Sequence, residues 1–280
     1  MTDNEKKIME EVHYANKKLL KAFDDFAKRH DIKYYLMYGG LIGAIRHKDL
    51  IPWDDDVDIV VTRDEYNKLI PYLDEFKGDF SVSYPCTNNK FFDFVTKINY
   101  VKSSLENINS ETKFYNEEHN KISLDIFIFD KTYPGKKANK QIFKLKMIYG
   151  KAMSKRYKID YKKYSFVQKI QVFTLALLGK FSSLKNIYKK YEKISQKFNN
   201  DNTGYYFASN GTINDFDVIF DAKDFEKTTI GHVGELDLPI PYNYDHVLKQ
   251  QYGNYMEFPP VESQKPLHIK YEEIKVERID

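Results

Sequence analysis

The chain has one cysteine in 280 residues, Cys86. It cannot close a disulfide on itself or assemble a cysteine-based zinc cluster. Its seven histidines are scattered without ligand spacing, so a histidine-rich metal centre is not expected either. Tryptophan occurs once, at Trp53. No apolar run approaches the roughly 20 residues that a bilayer-crossing helix needs. The N-terminus is charged and helical in pattern rather than apolar, and with no secretory signal visible a cytoplasmic location is expected. Internal repeats and low-complexity tracts are lacking. Acidic residues are nearly missing from one long stretch: residues 131–191 carry seventeen Lys or Arg and one acid, Asp160, for a net +16, against −13 for the rest. That asymmetry predicts an acidic partner for the middle segment, a polyanion or an anionic membrane surface.

Aromatic residues are plentiful, at 16%, and with a chain of this length they supply a large core and exclude wholesale disorder. Residues 5–30 read as an amphipathic helix, with Ile8, Val12, Ala15, Leu19, Phe23 and Phe26 at three- and four-residue spacing. Residues 34–38 read as a short strand and residues 41–46 as one or two helical turns. Pro52 then stops any helix and opens a strand that runs on through 57–61; 63–76 reads as another helix. Residues 122–129, ISLDIFIF, form a buried strand interrupted by Asp125. Residues 136–200 are helical in pattern and rich in Lys and Tyr. Within them the run 172–178, VFTLALL, fits a core helix with solvated lysines outside; a membrane-surface segment is the alternative. After a loop at 199–203, residues 205–280 mix short strands and turns, and their prolines exclude long helices.

The chemistry concentrates in residues 39–59, GGLIGAIRHKDLIPWDDDVDI. Asp54, Asp56 and Asp58 alternate, and alternate residues of a strand share a face. Carboxylates packed this way need a cation, and hard oxygen ligands suit Mg²⁺ or Mn²⁺, the ions that accompany phosphates. Asp125, a carboxylate inside an apolar strand, is expected to join them as a third ligand or as a base, with a capping or salt-bridged aspartate as the alternative. Asp56 and Asp58 are the leading ligands, Asp54 stands second, and Asp55 points away. Gly39 and Gly40 let backbone N–H groups approach phosphate. Arg46 and Lys48 offer cations to a phosphate, although Arg46 serves equally well in a salt bridge to one of the aspartates. His47 is read as positional. Trp53 packs at the start of the strand and is also counted among the substrate-binding side chains, because an aromatic face attracts a quaternary ammonium.

The glycine pair, the aspartate pair and the later lone aspartate resemble the nucleotidyltransferase superfamily, which shares the fold of DNA polymerase β. More narrowly, residues 39–66, GGLIGAIRHKDLIPWDDDVDIVVTRDEY, resemble the signature of the LicD family, which includes the fukutin-type transferases. Residues 252–260, YGNYMEFPP, with His268 beyond, look like that family's C-terminal motif. The resemblance implies an α/β (α+β) fold: a mixed sheet with flanking helices plus a basic helical insertion. It implies a catalytic core over 1–130, a basic helical subdomain over 131–200 and a closing portion over 201–280, together one integrated unit. It implies transfer of phosphocholine from CDP-choline to a sugar hydroxyl of a cell-surface glycan, teichoic acid precursor or lipid-linked glycan, releasing CMP. Asp56, Asp58 and Asp125 would hold the Mg²⁺ (or Mn²⁺), and Tyr252 and His268 would close over a substrate. CDP-ribitol, CDP-glycerol and CDP-ethanolamine remain alternative donors. Nucleotidyl transfer releasing pyrophosphate is the enzymatic rival and a polyanion-binding protein the non-enzymatic one. No base-reading motif points to sequence-specific nucleic acid. The expected location is cytoplasmic, peripheral at the inner membrane face.

Overall fold

A computed structural model describes every residue except 87–88, 106–107, 212–214, 268–270, 272–273 and 279–280. His268 lies outside the described residues. The fold mixes helices with sheet in two compact units. The first comprises residues 1–83, 96–127 and 222–280, and the second residues 84–95 and 128–221.

The chain opens with α1 (Asp3–Arg29), then β1 (Tyr35–Met37), α2 (Tyr38–Ile42), β2 (Val57–Thr62), α3 (Arg63–Leu69), β3 (Phe80–Ser83), β4 (Thr96–Tyr100), β5 (Ser103–Ser104) and α4 (Ser110–Phe114). Strand β6 (Ser123–Thr132) gives its first half to one unit and its second half to the other. Helices α5 (Lys136–Ala152), α6 (Phe166–Lys180) and α7 (Leu184–Ser195) follow, then β7 (Tyr205–Ala208), β8 (Ile219–Asp221), β9 (Thr228–Val233), β10 (Leu236–Pro241), α8 (Tyr244–Tyr252) and β11 (Lys275–Val276).

In the first unit the strand order is β1-β2-β6-β4-β3. The pairs β1/β2, β4/β6 and β3/β4 are antiparallel. Helix α1 begins with a capping box, in which Thr2 and Glu5 each take the other's backbone N–H. It buries Met9, Val12, Ala15, Leu19, Phe23 and Phe26 and packs on β4 and β10. Phe23, Phe26, Tyr34 and Phe76 close its end as an aromatic cluster. The β9–β10 hairpin turns at Gly234, whose N–H donates to the Lys48 carbonyl at 2.9 Å, so a remote hairpin fixes the segment that leads to the aspartates.

In the second unit the end of β6 pairs with β7, and β7 pairs with β8. Its core gathers Phe91, Phe94, Leu145, Tyr149, Ile187, Tyr191 and Phe207. Asp130, at the end of β6, is fully buried and accepts from Asn199 at 2.5 Å and Ser209 at 2.6 Å. A buried carboxylate so satisfied is structural.

Two sequence expectations are corrected. The strand does not open at Pro52: residues 52–56 form a turn and an irregular segment, and β2 starts at Val57. The alternation argument therefore applies to Asp58 alone. The run 172–178 is a core helix on one side only: Val172 and Ala176 pack inward, while Phe173, Leu177 and Leu178 are exposed. Periodicity located an apolar face there without revealing what covers it. Among the described residues no helix is long and apolar enough to cross a membrane.

Candidate active site

The acidic segment is held from behind by α1. His13 Nε2 lies 2.9 Å from the Asp54 carbonyl, Asn16 Nδ2 donates to the Asp55 carbonyl at 3.3 Å, and Lys17 pairs with Asp49 at 2.7 Å. Burial lowers the His13 pKa, and its hydrogen bond to Asp54 opposes the shift. These three side chains form a polar stripe at helical spacing. A buried Asn16 within that stripe was the signal that α1 faces more than core.

Asp54, Asp55 and Asp56 each place a carboxylate oxygen within 4.8 Å of the others. Asp55 is the buried member, and one of its oxygens accepts from the Leu267 N–H at 3.4 Å. Asp58, on β2 opposite Met37, is half-buried. Burial, with the carboxylates of Asp56, Asp125 and Asp54 around it, pushes its carboxyl well above the ordinary range, and Lys97 opposes the shift. Asp125 sits on β6, the neighbour of β2. Its cross-strand partner is Lys97 of β4, and the two form an ion pair with side chains only 13% (Lys97) and 18% (Asp125) exposed. Ser123 Oγ donates to the other Asp125 oxygen at 2.9 Å. Asp125 is thus both salt-bridged and part of the acidic group. Lys97 was missed from the sequence because only strand register reveals it.

Gly39 supplies space rather than a phosphate cradle alone: a Cβ there would lie 2.0 Å from Asp54 Oδ2. At Gly40 a Cβ would meet Leu36 Cδ1 at 2.8 Å. Just before them Tyr38 adopts a left-handed backbone, φ 53°, a conformation that non-glycine residues keep only where the surroundings enforce it. This dense set of hard oxygen donors, with one carboxyl raised by its neighbours and a glycine leaving room for another, fits Mg²⁺ or Mn²⁺.

A cavity of about 480 Å³ is lined by Ile42, Arg46, Ile51, Tyr252, residues 254–255 and 257–260, and Trp53, which directly precedes Asp54 in the chain. Among the described residues Arg46 pairs with no aspartate. It donates to the Tyr255 and Glu257 carbonyls at 2.7 and 3.1 Å, and its guanidinium lies 4.8 Å from the centre of the Phe258 ring. Burial lowers its pKa from the ordinary value. An arginine bound through carbonyls keeps its charge available to an anion. His47 meets both Trp53 and Phe258 edge-on, at 6.0 and 5.4 Å, and accepts from Arg46 Nε at 3.0 Å, a positional arrangement. Lys48 is exposed and left-handed, φ 57°.

A family model described as LicD/FKTN/FKRP, nucleotidyltransferase domain, matches residues 31–175. The chain belongs to this LicD/FKTN/FKRP family. The lipopolysaccharide cholinephosphotransferase LicD of Haemophilus influenzae is 29% identical over 269 residues, covering 90% of this chain and 92% of its own. An uncharacterized protein of Rickettsia prowazekii is 36% identical over 67 residues, 24% of this chain and 25% of its own. One from Rickettsia typhi is 32% identical over 74 residues, 26% and 23%. The family match takes in the glycine pair, all four aspartates of 54–58, Lys97 and Asp125.

Proposed function

We propose that this chain is a phosphotransferase that moves phosphocholine from CDP-choline to a hydroxyl of a cell-surface glycan or lipid-linked glycan precursor, releasing CMP. It would act as a peripheral protein on the cytoplasmic side. The observation that carries the proposal is the convergence of Asp54, Asp56 and Asp125 on Asp58, together with a cavity lined by aromatic rings and Arg46. The near full-length similarity to a cholinephosphotransferase supports the choice of transferred group.

Asp56, Asp58 and Asp125 would hold Mg²⁺ or Mn²⁺, with Asp54 as a further ligand. When bound, such an ion neutralises charge on the donor diphosphate and on the departing CMP oxygen. The acceptor oxygen attacks the β-phosphorus, the bond from that phosphorus to the bridging oxygen breaks, and CMP leaves with the electron pair. Asp125 takes the hydroxyl proton, its orientation kept by Lys97 and Ser123. Arg46 binds a donor phosphate, Lys48 adds charge from the rim, and the first turn of α2 at Gly39 and Gly40 faces the diphosphate. Trp53, Tyr252 and Phe258 offer ring faces to the trimethylammonium group, with the Glu257 carboxylate nearby. Ribitol or glycerol would need hydroxyl partners in place of ring faces, which is why choline is preferred.

Trp53 is the only tryptophan, so its fluorescence reports directly on this cavity. Titration with CDP-choline is expected to give a saturable change, at least tenfold tighter than with CDP-glycerol. Superimposable curves for the two would remove choline from the proposal.

A further inference from the structure

Helix α6 is built the wrong way round for a helix on a water-exposed surface. Its inward side combines two aliphatic side chains, Val172 and Leu175, with the buried small residues Ala176 and Gly179. A Cβ on Gly179 would lie 2.0 Å from the Lys151 carbonyl oxygen, and one on Gly150 of α5 would lie 2.6 Å from Leu175 Cδ1. The two helices approach closely at these glycines, and the phenylalanines of α6 are directed elsewhere. At 100° per residue, Phe166, Ile170, Phe173, Leu177 and Phe181 fall together opposite the buried side. They are 77%, 53%, 59%, 44% and 83% exposed. A contiguous apolar face of this size marks an interaction surface.

Charge chooses the occupant. Lys169 and Lys180 line one edge of the apolar face, Lys162 and Lys163 precede the helix, and Lys185 follows it, all within the segment of net +16. A second copy docking through the same face would bring two such segments together against their mutual repulsion. A nucleic acid would satisfy the lysines and leave the phenylalanines in water. An anionic bilayer satisfies both at once. The helix has 15 residues, about 22 Å at 1.5 Å per residue, too short to cross a core of about 30 Å and long enough to lie in its interface.

We infer that α6 is a monotopic membrane anchor, its Phe166–Phe181 face buried in the headgroup region of an anionic bilayer and its flanking lysines on the lipid phosphates. This goes beyond the proposed reaction and stands or falls without it, since binding is measured in the absence of substrate.

The test is flotation of the full chain with vesicles of phosphatidylcholine alone or with 30% phosphatidylglycerol. The wild type is expected to float with the anionic vesicles only, and less so in high salt. Phe173→Glu with Leu177→Glu should lower partitioning at least tenfold. Lys169→Gln with Lys180→Gln should lower it on the order of 30-fold on anionic vesicles, at about 1 kcal/mol per lysine near the surface. Both pairs lie on exposed positions, and circular dichroism is expected to be unchanged. Absence of flotation by the wild type would overturn the inference, as would equal flotation of wild type and the glutamate pair. So would a lipid-free dimer, seen by sedimentation, that the glutamate pair dissolves without any flotation; this outcome would assign the face to a second copy.

Discussion

Lys97→Met is the perturbation that reads the site most cleanly. Lys97 and Asp125 face each other across β4 and β6, with 13% and 18% of their side chains exposed. Removing one partner of a buried pair costs about 3–5 kcal/mol, because the other charge stays behind unpaired. Both side chains here keep some solvent, so the lower end applies, about 3 kcal/mol. The cost arises from the carboxylate left among Asp54, Asp56 and Asp58, and two consequences follow. Adding Asp125→Asn should recover at least about 1.5 kcal/mol of the loss, a coupling of the size seen for contacting pairs. Millimolar Mg²⁺ should recover a similar share by supplying the missing positive charge, and should do so less in the double variant. Urea unfolding followed by Trp53 fluorescence is suited to this, since Trp53, Lys97 and Asp125 all belong to the same compact unit. Strictly additive single and double variants, or a Lys97→Met protein as stable as wild type, would refute the argument that Lys97 is the counter-charge of the acidic group.

Asp58→Asn should abolish transfer and stabilise the metal-free protein by on the order of 1–2 kcal/mol at pH 8, because it removes a half-buried charge from among like charges. A carboxyl raised in the fold favours the protonated form, so wild-type stability falls as pH rises past the ordinary carboxylate range. The gain from Asp58→Asn should therefore shrink at pH 5, as thermal melts at the two pH values would reveal. His119 acts in the opposite sense: burial and the nearby Lys97 push its pKa down to about 4 from 6.5. Its neutral form is favoured in the fold, so stability present above pH 6.5 is lost as pH falls toward 4, by no more than about 3 kcal/mol for a shift of this size. Urea midpoints of His119→Gln should be correspondingly flatter between pH 7 and pH 5. Gly39→Ala must displace the Asp54 carboxylate and is expected to weaken Mn²⁺ binding, measured by electron paramagnetic resonance, at least tenfold. Gly40→Ala presses on Leu36 instead and should cost stability, about 1–3 kcal/mol, with Mn²⁺ affinity retained.

The elements nearest the chemistry were legible because each has a strong local signal. The apolar spacing of α1 and the apolar run around Asp125 in β6 both predict their elements to within a few residues. Asp56 was placed on a strand because alternation cannot tell a strand from the extended chain that precedes one. The partners of Arg46 were out of reach, since carbonyls at Tyr255 and Glu257 lie some 210 positions away and any sequence offers a carbonyl everywhere. Lys97 required strand register, which a five-residue strand does not encode by itself. The outward face of α6 was not separated from its core-packed side, because hydrophobicity reports that a side chain avoids water and not which side of a helix the protein covers.

The central claim is that this family member transfers the phospho-alcohol and not the nucleotide. The most direct measurement is phosphorus-31 NMR of the wild type with CDP-choline, Mg²⁺ and a membrane extract as acceptor, beside Asp58→Asn. The account predicts CMP together with a new phosphodiester on the acceptor, both missing in the variant. Free phosphocholine with a cytidylylated acceptor, the products of attack at the α-phosphorus, would contradict it, as would CMP formation undiminished by the substitution.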